Sequence, residues 1–477
     1  MKSRWMTVLA GLLIPFVLGM SALAAAWPQY ARTAGHQPLT EASLPAEGDT
    51  TELVFNLQAR PQESTDVLSN LIVTDDALFA AAGPDLMKIS PQGQILKRVT
   101  LPRPVSAYTP FIAAAGDLVL TYGYDGSSGQ VQAFSMEDLA LVWTSPELAG
   151  LESFSPLTVY DDILYLPLSA YDYTAYSVLP GVIAAISTNQ AAETDADWLF
   201  MAGDETQAYY WNGVAVSDQA VYAGSTVGRI DVYDRNDGQL IDQFDSGLPI
   251  KSTLSLNDGI LYFGTDRGIA AVNLDDNGLL AEETLRQLDL GDQVTAAPAV
   301  WQQRLYVGTG GFTGGSGMTV VDLDSWSVAY QVRISGFDSW SGEPLESAGI
   351  QSAPVIAASN DTAQVYFTIN AKPSPLLMLM DKSGQTTADV RTLFTPQEAE
   401  QNGATMPLSA SESGQLYYSN DAGILFAVRG SAPAATPLWN RNVLIVLITL
   451  AGLLAIGLLI QFSSRAKTRR RSNGTKR

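Results

Sequence analysis

Cysteine is absent from all 477 residues. That excludes disulfides, thiolate metal sites, covalent haem attachment and a lipid anchor on an N-terminal cysteine. Histidine occurs once, at His36, so a metal centre built from several imidazoles is excluded. A Ser-His-Asp triad would have to use His36, which lies in a leading segment flanked by glycine and proline. Such a segment is expected to be a poor place to hold a catalytic base rigidly. Cations are also scarce: 27 Lys and Arg stand against 49 Asp and Glu. Two of those cations fall before residue 27 and seven after residue 464. The stretch 27–464 therefore carries 18 cations against every acid, a net charge of −31. Phosphate recognition needs clustered Lys and Arg, so a nucleic-acid partner is excluded for this part of the chain.

The two ends read as membrane signals. Residues 1–26 begin with Lys2 and Arg4, continue with an apolar run, and end in Ala22-Leu-Ala24 and Ala24-Ala-Ala26. This is the pattern of a secretory signal with cleavage after Ala24 or Ala26. Residues 442–462 are expected to form one transmembrane helix. Val443 to Ile460 carries no charge, and such a helix spans roughly 30 Å, the thickness of a bilayer core. A linker at 431–441 precedes it. Residues 463–477 hold seven cations and no acid, which marks a cytoplasmic tail. The expected localisation is the cell membrane, single-pass, with the acidic domain outside the cytoplasm and the basic tail inside.

Between the ends, one unit recurs eight times. Its hallmark is an aromatic residue on a short apolar strand, usually after an acidic turn. The aromatics are Phe79, Tyr122, Tyr165, Tyr222, Tyr262, Tyr306, Tyr366 and Tyr417. Short strands separated by turns at a period of about 40–60 residues predict an all-β fold. Specifically, they predict an eight-bladed β-propeller of four-stranded antiparallel blades over residues 51–430. The fourth copy shows the pattern. Gly213 to Val216, Ala220 to Gly224, Gly228 to Tyr233 and Gln239 to Phe244 read as four strands with turn residues between them. The last copy has only three strands. The orphan run Glu52-Leu-Val-Phe-Asn-Leu57 is expected to supply its fourth, so that residues 52–57 close the ring. Residues 27–50 form the leading segment.

The blades resemble the pyrroloquinoline-quinone-type (PQQ-like) propeller repeat, in which Ala, Asp, Gly and Trp recur at positions one, three, seven and eleven. Ala133 and Trp143 keep the first and last positions; Asp322 and Tyr330 keep the Asp and an aromatic; Asp234 and Gly238 keep Asp and Gly. Trp27-Pro-Gln-Tyr30-Ala-Arg32 also resembles the start of many members. The resemblance implies one of two branches. One comprises quinone-dependent dehydrogenases, many of which clamp the cofactor with a vicinal cysteine pair that this chain lacks. The other comprises non-enzymatic scaffolds like the lipoprotein of the bacterial outer-membrane assembly machine. We read the chain as a membrane-anchored member of the scaffold branch, with no cofactor, metal or catalytic residue expected. Under the dehydrogenase alternative, PQQ with calcium would sit in the central funnel with an Asp base and an arginine. Arg229, Arg267, Arg304 and Arg333 are the candidates for that arginine. The acidic turns Asp234 to Gly238 and Asp275 to Gly278 have the oxygen ligands calcium uses, but their composition is that of ordinary turns.

Loop lengths then point to a face. Connections between strands two and three, and between one blade and the next, open on the same side of a propeller. The long insertions fall in that set: Pro167 to Gly181, Ala202 to Gly213, Gly308 to Gly317 and Ser335 to Gln351. They carry Tyr171, Tyr173, Tyr176, Tyr209, Tyr210, Trp211, Phe312, Phe337 and Trp340. These nine are the candidate binding residues, for a protein or glycan partner. The competing reading is that such rings fold inward and pack the loops themselves. A carbohydrate-binding surface module is the third functional alternative.

Overall fold

The computed structural model describes residues 26–430 apart from 47–48, 61–65, 173, 175–176, 190–197, 202–207, 312–314, 360 and 383. The expected signal (but for Ala26), linker, span and basic tail lie outside the described residues. Among the described residues no helix is long and apolar enough to cross a membrane.

Eight sheets of antiparallel blade strands follow one another along the chain; seven have those strands in sequence order from first to last, and the eighth takes its outer strand from the start of the domain. Blade 1 runs from Ile72 to Thr100, blade 4 from Ala215 to Asp245 and blade 7 from Val355 to Phe394. The fourth blade has strands Ala215–Val216, Ala220–Gly224, Arg229–Asp234 and Leu240–Asp245, within a residue or two of the strands expected from sequence. Blade 8 takes Ser409–Ala410, Gln415–Ser419 and Ile424–Gly430 from the end of the domain. Its outer strand is Thr51–Gln58, paired antiparallel with Ile424–Gly430 from Thr51↔Gly430 to Gln58↔Ile424. The two ends of the domain thus share one sheet, and the closing strand covers the edge of Ile424–Gly430.

The recurring aromatic is what holds neighbouring blades together. All eight are buried on the second strand. Side chains alternate along a strand, so alternate residues face the two flanking blades. Tyr222 of blade 4 donates its hydroxyl to the Gly278 carbonyl of blade 5 at 2.9 Å. Tyr306 of blade 6 donates to Asp381 of blade 7 at 2.7 Å, and Tyr330 donates to the other oxygen of the same carboxylate at 2.7 Å. The apolar core is accordingly divided among the seams. One cluster joins Tyr222, Ile230 and Val232 to Leu261, Phe263 and Val272; another joins Phe79 and Leu86 to Ile112 and Val119. Small residues such as Ala113, Ala215 and Ala299 sit on the innermost strands, where the blades crowd together.

The acidic turns are turns. The Asp234 carboxylate accepts the Asn236 amide at 2.7 Å, and the Asp275 carboxylate accepts the amides of Asn277 and Leu279 at 2.8 Å each. No group of three or more potential ligand side chains gathers among the described residues.

Candidate functional site

The leading segment is not the loose preface that its glycine and proline suggest. It enters the ring and bonds to the innermost strands of blades 1 to 7. Trp27 exchanges two backbone hydrogen bonds with Val73 of blade 1, at 3.0 and 3.2 Å. The Pro28 carbonyl accepts from Ala114 of blade 2 at 2.7 Å. The Gln29 side chain accepts from Val159 of blade 3 at 2.6 Å. The Ala34 carbonyl accepts from Val216 of blade 4 at 3.1 Å, and that of Gly35 accepts from Leu256 of blade 5 at 2.8 Å. Gln37 Oε1 accepts from Val300 of blade 6 at 3.2 Å, and the Pro38 carbonyl accepts from Ile356 of blade 7 at 2.9 Å. Leu39–Thr40 then pairs parallel with Ile356↔Leu39 and Ala357↔Thr40.

His36 is the pivot of this plug, not a base for catalysis. It is fully buried. Its Nε2 lies 2.8 Å from the Val214 carbonyl and its Nδ1 3.3 Å from that of Tyr30. The shorter contact assigns the proton to Nε2. Burial holds its pKa below the ordinary imidazole value, against the pull of those two carbonyls. The segment is therefore tied to the ring along its length, contrary to the sequence expectation, because the inner strands supply it with partners.

Beyond the plug the axis opens into a cavity of about 600 Å³. Its walls come from the stretches that lead into the inner strand of each blade: Val67, Thr109, Pro156, Trp211, Thr253, Thr295, Gln351 and Met406, one from each of the eight. Tyr30 of the plug is part of its lining. That ring packs edge-on against Phe111, with centroids 5.7 Å apart, and burial pushes its hydroxyl pKa up to about 12. At the rim Tyr108 is 74% exposed and Trp340 is 97% exposed. Trp340 rides on the turn of a small hairpin, Gly336–Phe337 with Pro344–Leu345. The Asp338 carboxylate shapes that turn by accepting the amides of Ser341 and Trp340 at 2.7 and 3.0 Å. The Ser341 amide, first among several causes, holds the carboxyl below the usual range.

The nine candidate residues divide. Tyr210, Trp211 and Trp340 line the cavity. Tyr210 and Trp211 stack with centroids 6.0 Å apart and planes 8° apart. Phe337 is exposed on the same hairpin as Trp340 but is not part of the wall. Tyr171 ends a strand, Ile163–Asp172, and its ring tilts against Phe154 at 5.6 Å. The supposed loop at Pro167 to Gly181 is mostly two long paired strands, in register from Pro167↔Ile183 to Asp172↔Ser177 with a shift between Ser169 and Tyr171. Tyr209 is a core residue, 1% exposed, packed with Ala34, Tyr165 and Tyr233; its ring is not offered to a partner. Tyr173, Tyr176 and Phe312 lie outside the described residues.

The four arginines that are candidates under the dehydrogenase alternative have other partners. Arg229 pairs with Asp231 at 2.8 Å, and Arg267 with Asp289 at 2.8 Å on the surface. Arg304 lies 3.7 Å from Asp381 in the seam of blades 6 and 7, and Arg333 reaches Gln331 at 3.4 Å. None of the four lines the cavity. The arginine that does is Arg60, in the connection between the closing strand and blade 1. It is 7% exposed. Its Nη2 donates to the Asp421 carbonyl at 2.6 Å, while Nε and Nη1 have no partner. The Asp421 carboxyl beside it accepts from Thr405 at 2.9 Å. Burial pushes its pKa up to about 6, against the opposing effect of Thr405 and Arg60. Tyr108 and Arg60 belong to the same class of between-blade connection as the expected residues. Restricting that class to long insertions is what hid them.

No protein-family model matches this chain, and no curated protein matches it. Solved structures do. A quinohemoprotein alcohol dehydrogenase from Comamonas testosteroni is 11% identical, with a TM-score of 0.56 over 88% of this chain and 82% of its own. The computationally designed Ika8 protein is 12% identical, with a TM-score of 0.55 over 79% of this chain and 99% of its own. BamB from Moraxella catarrhalis is 12% identical, with a TM-score of 0.52 over 80% and 100%. At these identities the likeness is one of fold. That fold is the eight-bladed β-propeller.

Proposed function

We propose that this protein is a membrane-tethered extracytoplasmic scaffold that binds a partner protein at the cavity face of its propeller. The observation that carries the reading is the pairing of a cavity walled by all eight blades with Trp340, 97% exposed at its rim. A ring left in water at a cavity mouth contributes little to folding and is suited to act as a binding anchor. The likeness to BamB bears on the fold alone, and the partner rests on this chain's own rim. The tether rests on the uncharged run at 442–462 and the basic residues after it.

The test is recovery of partners on the full-length chain, wild type against a Tyr108→Ala/Trp340→Ala double variant, at matched protein levels. A protein recovered with the wild type and reduced at least tenfold with the variant supports the reading. Identical recovery profiles contradict it. Tyr108 and Trp340 are also rings on which a sugar could stack, so a glycan array run on the same two proteins tests the carbohydrate alternative.

A further inference from the structure

The cavity wall combines aromatic rings with an uneven balance of charge. Tyr30, Tyr108, Phe111, Tyr210, Trp211 and Trp340 all line it. Phe111 and Trp211 are only half-buried and Tyr210 is 37% exposed, so these residues keep surface that the fold does not cover. Asp338 and Asp421 line the same space. The first is held below the usual carboxyl range by the turn it shapes, and the second is pushed up to about 6 by burial. Both are therefore ionised in the main at neutral pH. Arg60 is the only cation among the described residues that line the cavity, and its charge is already set against Asp66 and Asp421. Three carboxyls thus stand against one guanidinium.

We propose that the cavity binds a small organic cation with an apolar body, of the quaternary ammonium kind. The face of an aromatic ring carries negative charge density and attracts cations, a diffuse ammonium among them. The carboxyls add to that attraction. No two of these groups need meet on one atom, because Coulombic attraction acts across a space of this size and low-dielectric walls strengthen it. The net charge of −31 over residues 27–464 has the same sign and draws cations towards the domain. A hard metal ion asks for a shell of oxygen ligands, whereas no group of three or more ligand side chains gathers among the described residues. The volume, about 600 Å³, lies in the range of small-molecule pockets. A neutral sugar would stack on the same rings but gain little from the charge. The site involves binding alone, with no bond made or broken. The inference does not rest on the scaffold reading: a cation site stands or falls whether or not a protein docks at the rim.

The test is isothermal titration calorimetry on the full-length protein in a non-ionic detergent and sodium phosphate buffer. Choline and benzyltrimethylammonium are the probes, and 3,3-dimethylbutan-1-ol is the uncharged counterpart of choline. Saturable binding of benzyltrimethylammonium is expected, tighter than that of choline. The alcohol should bind at least tenfold more weakly than choline. Asp338→Asn/Asp421→Asn removes two charges and keeps an acceptor oxygen at each position. It should weaken benzyltrimethylammonium binding at least tenfold. Asp338→Asn alone changes an exposed turn in which asparagine is well tolerated. It should still weaken binding at least threefold, which guards against a folding defect in the double variant. It also leaves Tyr108 and Trp340 in place, so a lost cation site is told apart from a lost docking rim. Absence of saturable binding by both cations overturns the proposal. So does equal binding of choline and the alcohol, or unchanged binding in a folded Asp338→Asn protein.

Discussion

The plug and the cavity meet along one axis, and they differ in how far the chain itself covers the inner side of the ring. Along the plug, backbone carbonyls and glutamine side chains of the leading segment meet the inner strands of seven successive blades. In the cavity, the stretches that lead into the inner strands line an open space of about 600 Å³, and the rim presents Tyr108 and Trp340 to water. The repeats that build the two are the same. A ring of similar blades creates a channel whose lining needs partners, and here the chain supplies them to one part of that channel only. The filled part is structural by this account, and the open part is where a ligand or partner gains most.

The comparison breaks most visibly if the plug is removed. Deleting residues 27–40 leaves the bonded groups on seven inner strands without partners, at roughly 1–3 kcal/mol for each buried group. The sum is comparable to the 5–15 kcal/mol that folded domains typically have to spare. The expected outcome is loss of the cooperative melt and aggregation. A deletion variant that melts like the parent would show the plug to be dispensable. Next in size is Tyr209→Ala, which should cost roughly 3–5 kcal/mol as for other large core rings, read by denaturant unfolding.

A smaller effect concerns pH. Burial holds the His36 pKa below the 6.5 of an unfolded imidazole, so the unfolded chain takes up the proton first. The contribution of His36 is complete above pH 6.5. As pH falls below that value, stability declines by up to about 1.4 kcal/mol per pH unit until the folded-state pKa is reached. Unfolding free energies between pH 8 and 5, compared with those of His36→Gln, should show the steeper decline in the wild type. The smallest effect on stability is expected for Trp340→Ala, within about 0.5 kcal/mol, because the ring packs on almost nothing. A thermal melt that drops as far as that of Tyr209→Ala would place this ring in a core.

The sequence shows the blades and not the plug, for a physical reason. Strands write a period of two into the chain, and the eight buried aromatics repeat because every seam needs a ring in the same place. Even the closing strand is visible, since Leu53, Phe55 and Leu57 alternate although their partner strand lies some 370 residues away. The plug bonds to each of blades 1 to 7 through only a few groups. Residues 27–38 therefore have no periodicity of their own, and a glycine, prolines and a lone histidine look like a flexible leader. The cavity is legible only in part. Tyr210 and Trp211 are adjacent to Tyr209, yet two line the cavity and one is core; in an irregular connection nothing local sets which way a ring turns. Arg60 is invisible in the sequence because its place at the cavity depends on blade 8 being closed from the other end.

The central claim is that the cavity face is the working face. It is tested most directly by placing a photo-crosslinking amino acid in the full-length protein in cells, at Trp340 on the rim or at Asp258. Asp258 lies in the turn between the first two strands of blade 5, among the short turns opposite the rim. The account predicts a discrete partner adduct from position 340 and none from position 258. Adducts from 258 with none from 340 would contradict it.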